Sequence, residues 1–321
     1  MALTMPQTGE APQPKGAVRI VEVGPRDGLQ NEPTIVPTEV KVAFINALSR
    51  TGVSEIEAGA FVSASAIPQL ADSDDVFRKI ERAPGVTYSA LVPNERGLER
   101  ARAVAIQKIA VFTAASETFT RRNINATIAE SLARFRPVMA GAKRDGMAVR
   151  GYVSTALFCP YEGRIAPTQV ADVIKCLLDL GVDEISLGDT IGKAAPTDVR
   201  RLLDTVLPGL HRERLALHFH DTYGMAVANV LTAWWEYGIE TFDCSAGGLG
   251  GCPYAPGASG NVATEDVVYA LKASGATVVV DEYKVVAALR SIMESDLNRR
   301  GRSRLSQVDL AKTLEARHGA S

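Results

Sequence analysis

The sequence predicts a (β/α)8 barrel. Three observations lead there. Eight strand-like runs alternate with helical patterns over about 260 residues, the size of one such barrel. The helical stretches carry a single apolar face each. Polar and charged residues recur just past the C-terminal ends of the strand runs, the rim where chemistry collects in this fold.

The strand runs lie at 18–23, 53–58, 86–91, 108–113, 149–154, 184–187, 215–219 and 241–244. Between the first two, Pro37-Thr38 supplies a helix start. Val40, Ala43, Phe44, Ala47 and Leu48 then follow the i, i+3, i+4, i+7, i+8 spacing of one buried stripe. Between the fifth and sixth, Pro167-Thr168 opens a helix. Val170, Val173, Ile174, Leu177 and Leu178 fall on one side of it, and Gly181 ends it. A doubly wound open sheet is the alternative, but it needs a point where the strand order reverses, and no feature marks one. Two more helices are expected past the eighth unit, at 281–298 and 305–316, packed beneath or beside the barrel or at a subunit contact. The domain plan is therefore a disordered tail over 1–15 and one catalytic barrel over 16–321, with a helical extension from about 281.

Composition narrows the function classes. The 321 residues are 46% hydrophobic and 22% charged, ample for a large core. The net charge of −2 gives no electrostatic reason to expect nucleic acid or an anionic membrane as partner. No apolar stretch is long enough to span a bilayer. The four cysteines, Cys159, Cys176, Cys244 and Cys252, form neither a C-x-x-C pair nor a dense framework, which suits a reduced cytoplasm. The first fifteen residues lack the basic and apolar regions of a secretory signal and the arginines of a transit peptide.

Of the four histidines, two fall in Leu217-His218-Phe219-His220-Asp221. Strand geometry turns His218 and His220 to the same face, with Phe219 opposite. Two imidazoles on one face suit a shared divalent metal, although two solvated histidines at a strand end would leave the same pattern. The strand count weighs for the metal. Arg26 and Asp27 follow the first run in Gly24-Pro25-Arg26-Asp27-Gly28, Glu57 ends the second, Asp189 follows the sixth, and the histidines end the seventh. Past the eighth lie Gly247-Gly248-Leu249-Gly250-Gly251-Cys252 and then Gly260-Asn261. All converge on one mouth.

Asp27, His218 and His220 are three candidate ligands, and Asn261 could add a neutral carbonyl oxygen. That donor set favours an octahedral ion such as Mg2+, Mn2+ or Co2+ over tetrahedral Zn2+ with a cysteine. Arg26 supplies a fixed positive charge, for developing negative charge or for a structural pair with Asp27. The glycine-rich segment does not match a dinucleotide fingerprint, since it follows the last strand rather than the first. At a barrel mouth it reads as a lid. Cys252 within it is then a catalytic acid/base, a substrate-positioning thiol or a redox-sensitive gate.

At these residues the chain resembles the 3-hydroxy-3-methylglutaryl-CoA lyase family. The resemblance is carried by Val21-Glu22-Val23-Gly24-Pro25-Arg26-Asp27-Gly28-Leu29-Gln30-Asn31-Glu32, by Cys159-Pro160-Tyr161-Glu162-Gly163, by the His-x-His run, and by the stretch from Gly247 to Asn261. It runs from about Val18 to about Ser274. Arg-Asp-Gly with His-x-His marks only the wider superfamily of metal-dependent lyases and synthases, including isopropylmalate synthase; the cysteine loop is specific to the lyase. The resemblance implies a TIM barrel, usually dimeric, that splits its acyl-CoA substrate into acetyl-CoA and acetoacetate with a divalent cation, Mg2+ or Mn2+; leucine degradation, monoterpenoid breakdown and aromatic catabolism are all compatible settings. It implies Asp27, His218, His220 and Asn261 as metal ligands and Arg26 as the stabiliser of the departing enolate. It further implies Glu57 and Asp189 near the proton transfer and Cys252 acting from the lid. The base that takes the hydroxyl proton is left open among Asp27, His218 and Asp189.

Two departures stand out. Where the family usually reads Ser-Phe-Val-Ser-Pro-Lys-Trp, this chain has Ala60-Phe61-Val62-Ser63-Ala64-Ser65-Ala66, and Pro33 stands where some relatives carry lysine. Exchanging a tryptophan for alanine enlarges or reshapes the pocket, so a bulkier or different 3-hydroxyacyl-CoA is the alternative substrate. A Claisen-condensing synthase is disfavoured by the cysteine loop and the absence of a large C-terminal domain. A non-catalytic CoA-ester binder would need a broken ligand set.

Overall fold

The computed structural model describes residues 16–251, 260–295 and 303–308. Eight parallel strands close into a barrel: β1 (Arg19–Glu22), β2 (Glu55–Ala60), β3 (Thr87–Leu91), β4 (Lys108–Ala114), β5 (Ala148–Ser154), β6 (Glu184–Asp189), β7 (Leu215–Phe219) and β8 (Thr241–Cys244). Each pairs with its neighbours in sequence, and β8 closes onto β1 with Ile20 beside Phe242 and Glu22 beside Cys244. Every expected run is a strand, with ends shifted by at most two residues.

The outer layer begins with α1 (Thr38–Leu48), α2 (Ser73–Lys79), α3 (Glu95–Ala103), α4 (Glu117–Ile124), α5 (Ile128–Arg144) and α6 (Pro167–Asp179). It continues with α7 (Pro196–Val206), α8 (Ala226–Tyr237) and α9 (Thr264–Ala273). Side chains at alternate strand positions, among them Ile20, Ile56, Ile109, Ile185, Leu215 and Phe242, join the helices in one apolar layer. That layer supplies the main stabilisation, at about 25 cal/mol per Å2 of apolar surface removed from water. The buried stripe of α6 is as the periodicity predicts. That of α1 is turned: Lys41, Phe44, Ile45 and Leu48 are buried and Ala43 is exposed. The reason is Lys41, whose ammonium ion-pairs with Asp72 at 2.7 Å and so can face inward.

Past α9 the chain forms α10 (Glu282–Ser295), packed beside the barrel against α1 and α9. A single turn, α11 (Arg304–Gln307), docks at the start of α9. There the amides of Arg304 and Leu305 donate to Asp266 at 2.9 Å each, and the Ser303 hydroxyl donates to Glu265. The expected helix over 305–316 thus starts one residue early, and its remainder beyond 308, like the tail over 1–15, lies outside the described residues.

The lower barrel interior departs from the apolar filling common in this fold. Lys108 donates to Glu55 at 2.6 Å and to Glu184 at 2.5 Å, and Arg150 donates to Glu184 at 3.0 Å. Arg19 reaches the same Glu184 at 3.5 Å from the rim. The charges are mutually paired, which is the condition for burying them at all. Above this ionic floor, Ala60, Leu91, Ala110 and Tyr152 form a small inner apolar cluster. A register shift in β2 between Glu57 and Gly59 brings Ala60 onto the inner face beside Leu91.

Candidate metal centre and active site

The rim builds the site one strand end at a time. After β1 the chain makes one π-helical turn, Gly24–Gly28, with the amides of Asp27 and Gly28 both directed to the Val23 carbonyl at 2.8 and 3.1 Å. Single π turns recur at functional sites, and this one turns Arg26 and Asp27 into the barrel mouth. Gly28 is obligatory because a Cβ there would come within 2.9 Å of the Leu249 Cβ.

Arg26 is nearly buried and held on two sides. Its Nε and Nη2 meet Glu57 Oε2 at 2.7 and 2.5 Å, and its Nη1 meets Asp27 Oδ1 at 2.6 Å. Burial works against the guanidinium charge, but Glu57 and Asp27 outweigh it and raise its pKa. Glu57 is set behind Arg26 rather than in the open mouth. Burial pushes its carboxyl up, with Arg26 only partly countering, and Tyr152 adds a hydroxyl contact at 3.3 Å.

His218 and His220 point the same way at the end of β7, with ring centroids 5.2 Å apart, while Phe219 joins the outer layer. Their ligand atoms and that of Asp27 all lie within 4.8 Å of one another. His218 Nε2 faces Asp27 Oδ2 at 3.9 Å. Asn261 is brought in by a short antiparallel bridge to His220. Its amide nitrogen donates to Asp27 Oδ2 at 2.8 Å and to the Leu249 carbonyl at 3.1 Å. Gly250, at φ +126°, makes room for that amide: a Cβ there would lie 2.7 Å from Asn261 Nδ2.

The arrangement fits a divalent cation on its own terms. His220 Nδ1 and Asn261 Oδ1 are buried without a hydrogen-bond partner, an expensive condition that a bound group would relieve. Burial opposes the charge of Asp27, yet Arg26 and the two histidines keep its carboxylate well below the usual range. Burial and neighbouring His218 hold His220 down at about 4, so it is neutral and free to donate a lone pair.

Before this cluster opens a cavity of about 660 Å3, lined by Arg26, Asp27, His218, His220, Tyr152 and Asn31 among others. Val62, Ser63 and Ala66 from the 60–66 segment line it too, which puts the sequence departure at the pocket wall.

Asp189 does not line the cavity, although Gly188 and Thr190 on either side of it do. It shares strand parity with the outward Ile185 and Leu187. Both its oxygens accept backbone amides, from Lys193 at 3.2 Å and Ala194 at 3.0 Å. Burial still pushes it up to about 6. These two bonds tie it to the turn after β6. Cys252 lies outside the described residues.

Three residues that sequence reasoning did not single out belong to the site's surroundings. Tyr152 walls the cavity, its ring 5.7 Å from the Arg26 guanidinium carbon. Asp243 and Arg150 lie beneath His218, paired at 2.8 Å. Their signal was available as charged residues at the inward parity of apolar strands.

A family model described as HMGL-like matches residues 17–292. The chain belongs to the HMGL-like family. It is a carbon–carbon lyase. The HMGL-like chain is 50% identical over 298 residues to the cytoplasmic 3-hydroxy-3-methylglutaryl-CoA lyase of Rattus norvegicus, covering 93% of this chain and 86% of that one. It is equally 50% identical over 291 residues to the mitochondrial hydroxymethylglutaryl-CoA lyase of Bos taurus, covering 91% and 89%. Among solved structures, the hydroxymethylglutaryl-CoA lyase of Pseudomonas aeruginosa superposes with a TM-score of 0.90 at 47% identity, covering 95% of this chain and 100% of that one. Relatives so similar thus carry both compartment labels, and no described helix is long and apolar enough to cross a membrane.

Proposed function

We propose that this chain cleaves 3-hydroxy-3-methylglutaryl-CoA to acetyl-CoA and acetoacetate by a metal-assisted retro-Claisen reaction. The observation that carries the reading is the joint placement of Asp27, His218, His220 and Arg26 at one wall of the cavity, in a chain half identical to lyases of that name.

Asp27, His218, His220 and the amide oxygen of Asn261 would hold the cation, and their mix of oxygen and nitrogen donors suits Mg2+ or Mn2+. When bound, the cation supplies Lewis-acid chemistry, raising the acidity of the substrate hydroxyl. Arg26 presents a guanidinium that cannot lose its proton, aimed where the thioester enolate develops charge as the C2–C3 bond breaks. Glu57 orients that guanidinium from behind. Of the three candidate bases, Asp27 and His218 line the cavity but would also hold the cation, and Asp189 accepts two backbone amides beside the cavity. Tyr152 and Phe112 supply apolar wall and exclude water. The same proposal takes in a single domain over 16–321, a homodimer, a cytoplasmic setting and a role in leucine degradation.

The test is acetoacetate release from the methyl substrate by metal-stripped protein, with and without Mg2+ or Mn2+, and with Asp27→Asn as control. Metal-restored turnover that the variant lacks supports the reading. Silence from a protein that demonstrably binds the cation would overturn the substrate assignment.

A second reading, a bulkier 3-alkyl group on the same scaffold, is favoured by the place of Val62, Ser63 and Ala66 on the cavity wall.

A further inference from the structure

The strongest unassigned feature is the polar group directly beneath His218. Register pairs His218 with Asp243 across β7 and β8, so the two side chains are inward neighbours. Asp243 Oδ2 faces His218 Nδ1 at 3.4 Å, on the opposite side of the ring from the nitrogen that faces Asp27. Among the described residues that Nδ1 has no other partner, and Asp243 approaches it without a formed hydrogen bond. Asp243 is itself fixed: Ser186 donates to Oδ2 at 2.7 Å, and Arg150 Nη1 sits 2.8 Å from Oδ1. Arg150 is in turn anchored to Glu184 at 3.0 Å in the ionic floor. Asp243 and Arg150 are each about 1% exposed, too deep to touch substrate.

We infer that Asp243, braced by Arg150 and Ser186, is a positioning residue of the candidate metal centre, holding His218 with its proton on Nδ1 and its lone pair on Nε2 turned toward Asp27. The inference rests on the metal reading above. A neutral imidazole carries one ring proton, and its tautomer is set by the bond the other nitrogen makes. A carboxylate accepts only, and Asp243 lies closer to Nδ1, at 3.4 Å, than Asp27 does to Nε2, at 3.9 Å, so the proton goes to Nδ1 and Nε2 is left to donate. Carboxylate partners of this kind orient ligating imidazoles, and their loss commonly lowers metal affinity 10- to 100-fold. The floor thereby becomes part of the site: Glu184 holds Arg150, Arg150 holds Asp243, and Asp243 aims His218.

The experiment has two arms. In the metal-free wild type, at a pH where His218 is neutral, long-range 1H–15N spectra should show a protonated Nδ1 and a bare Nε2. The opposite tautomer overturns the inference and needs no variant to fold. In the second arm, Mn2+ binding is titrated into the wild type, Asp243→Asn and Arg150→Lys, with thermal unfolding of each metal-free protein alongside. Asp243→Asn should bind Mn2+ about 10- to 100-fold more weakly, and Arg150→Lys should weaken it in the same direction. Lowered unfolding temperature with unchanged Mn2+ affinity would show a merely structural role and overturn the positioning role. A wild type that binds no Mn2+ would instead overturn the metal reading on which the inference rests. Binding with the expected tautomer but no cleavage of the methyl substrate would leave the positioning role standing and fail only the substrate assignment.

Discussion

Replacing Arg26 by glutamine separates the rate contribution of the guanidinium from its structural one. An arginine has five N–H donors in a fixed fork. Glu57 engages Nε and Nη2 and Asp27 engages Nη1, which leaves one hydrogen on each terminal nitrogen for substrate. Loss of a preorganised donor aimed at a developing oxyanion costs about 100- to 1,000-fold in kcat, or roughly 2.7–4 kcal/mol. The same change strips Glu57 of its counterion, and a broken buried pair costs about 3–5 kcal/mol of stability. The variant should thus be both slow and less stable. Arg26→Gln combined with Glu57→Gln removes the orphaned carboxyl, so it should regain stability without regaining rate. The assay is acetoacetate release at saturating Mg2+, with kcat and KM determined separately, beside thermal unfolding of all three proteins. A kcat in the single variant within about threefold of wild type, with only KM raised, would mean uniform substrate binding and would refute the enolate role.

Three further outcomes are expected. Stability should rise between pH 8 and pH 6. Burial pushes Glu22 and Glu265 up to about 7 from the ordinary 4.5, so their contribution is complete below 4.5 and disappears as pH climbs through 7. His220, held at about 4, acts the other way only below about 6.5; Glu265→Gln should therefore reduce the slope of the unfolding temperature across pH 6 to 8, leaving the Glu22 share, and an unchanged slope would count against the assignment. Chelation should abolish turnover, while Mn2+ at a hundredfold excess over its Kd should add about 2.7 kcal/mol of stability, an increment that Asp27→Asn loses. Finally, Ala66→Trp should depress turnover of longer 3-alkyl homologues more than that of the methyl substrate; equal losses on both would remove residues 60–66 from the specificity argument.

Much of this architecture is legible in the chain, because each strand carries its own record of two faces. Alternation places His218 and His220 together, and the position of Asp27 just past the first strand brings it to the same rim. The same alternation, carried one strand further back, separates Asp189 from the mouth: it shares parity with Ile185 and Leu187, and only counting outward from the strand centre reveals that. Asp243, Arg150 and Lys108 are harder to read. A charged residue in an apolar strand is explained only by a partner, and those partners sit on strands far apart in sequence, as with Lys108 and Glu184. The buried face of α1 is missed for a related reason, since Lys41 is admitted to the interior by Asp72 from the following helix. The π turn over Gly24–Gly28 has no periodic signature, and its Gly24 and Gly28 lie against the segment after β8.

The barrel's ionic floor has a consequence for how the molecule can be divided. A cut after β4 would put Lys108 and Glu55 in one fragment and Glu184, Arg150 and Asp243 in the other, severing the Lys108–Glu184 pair. The same cut would part Asp27 from both histidines. Neither half alone would contain a complete donor set, and each would expose charges whose counterions belong to the other. Mixed halves would find each other through those opposite charges, and recovery of Mn2+ binding would report, without any enzymatic assay, the moment the ring of strands closes.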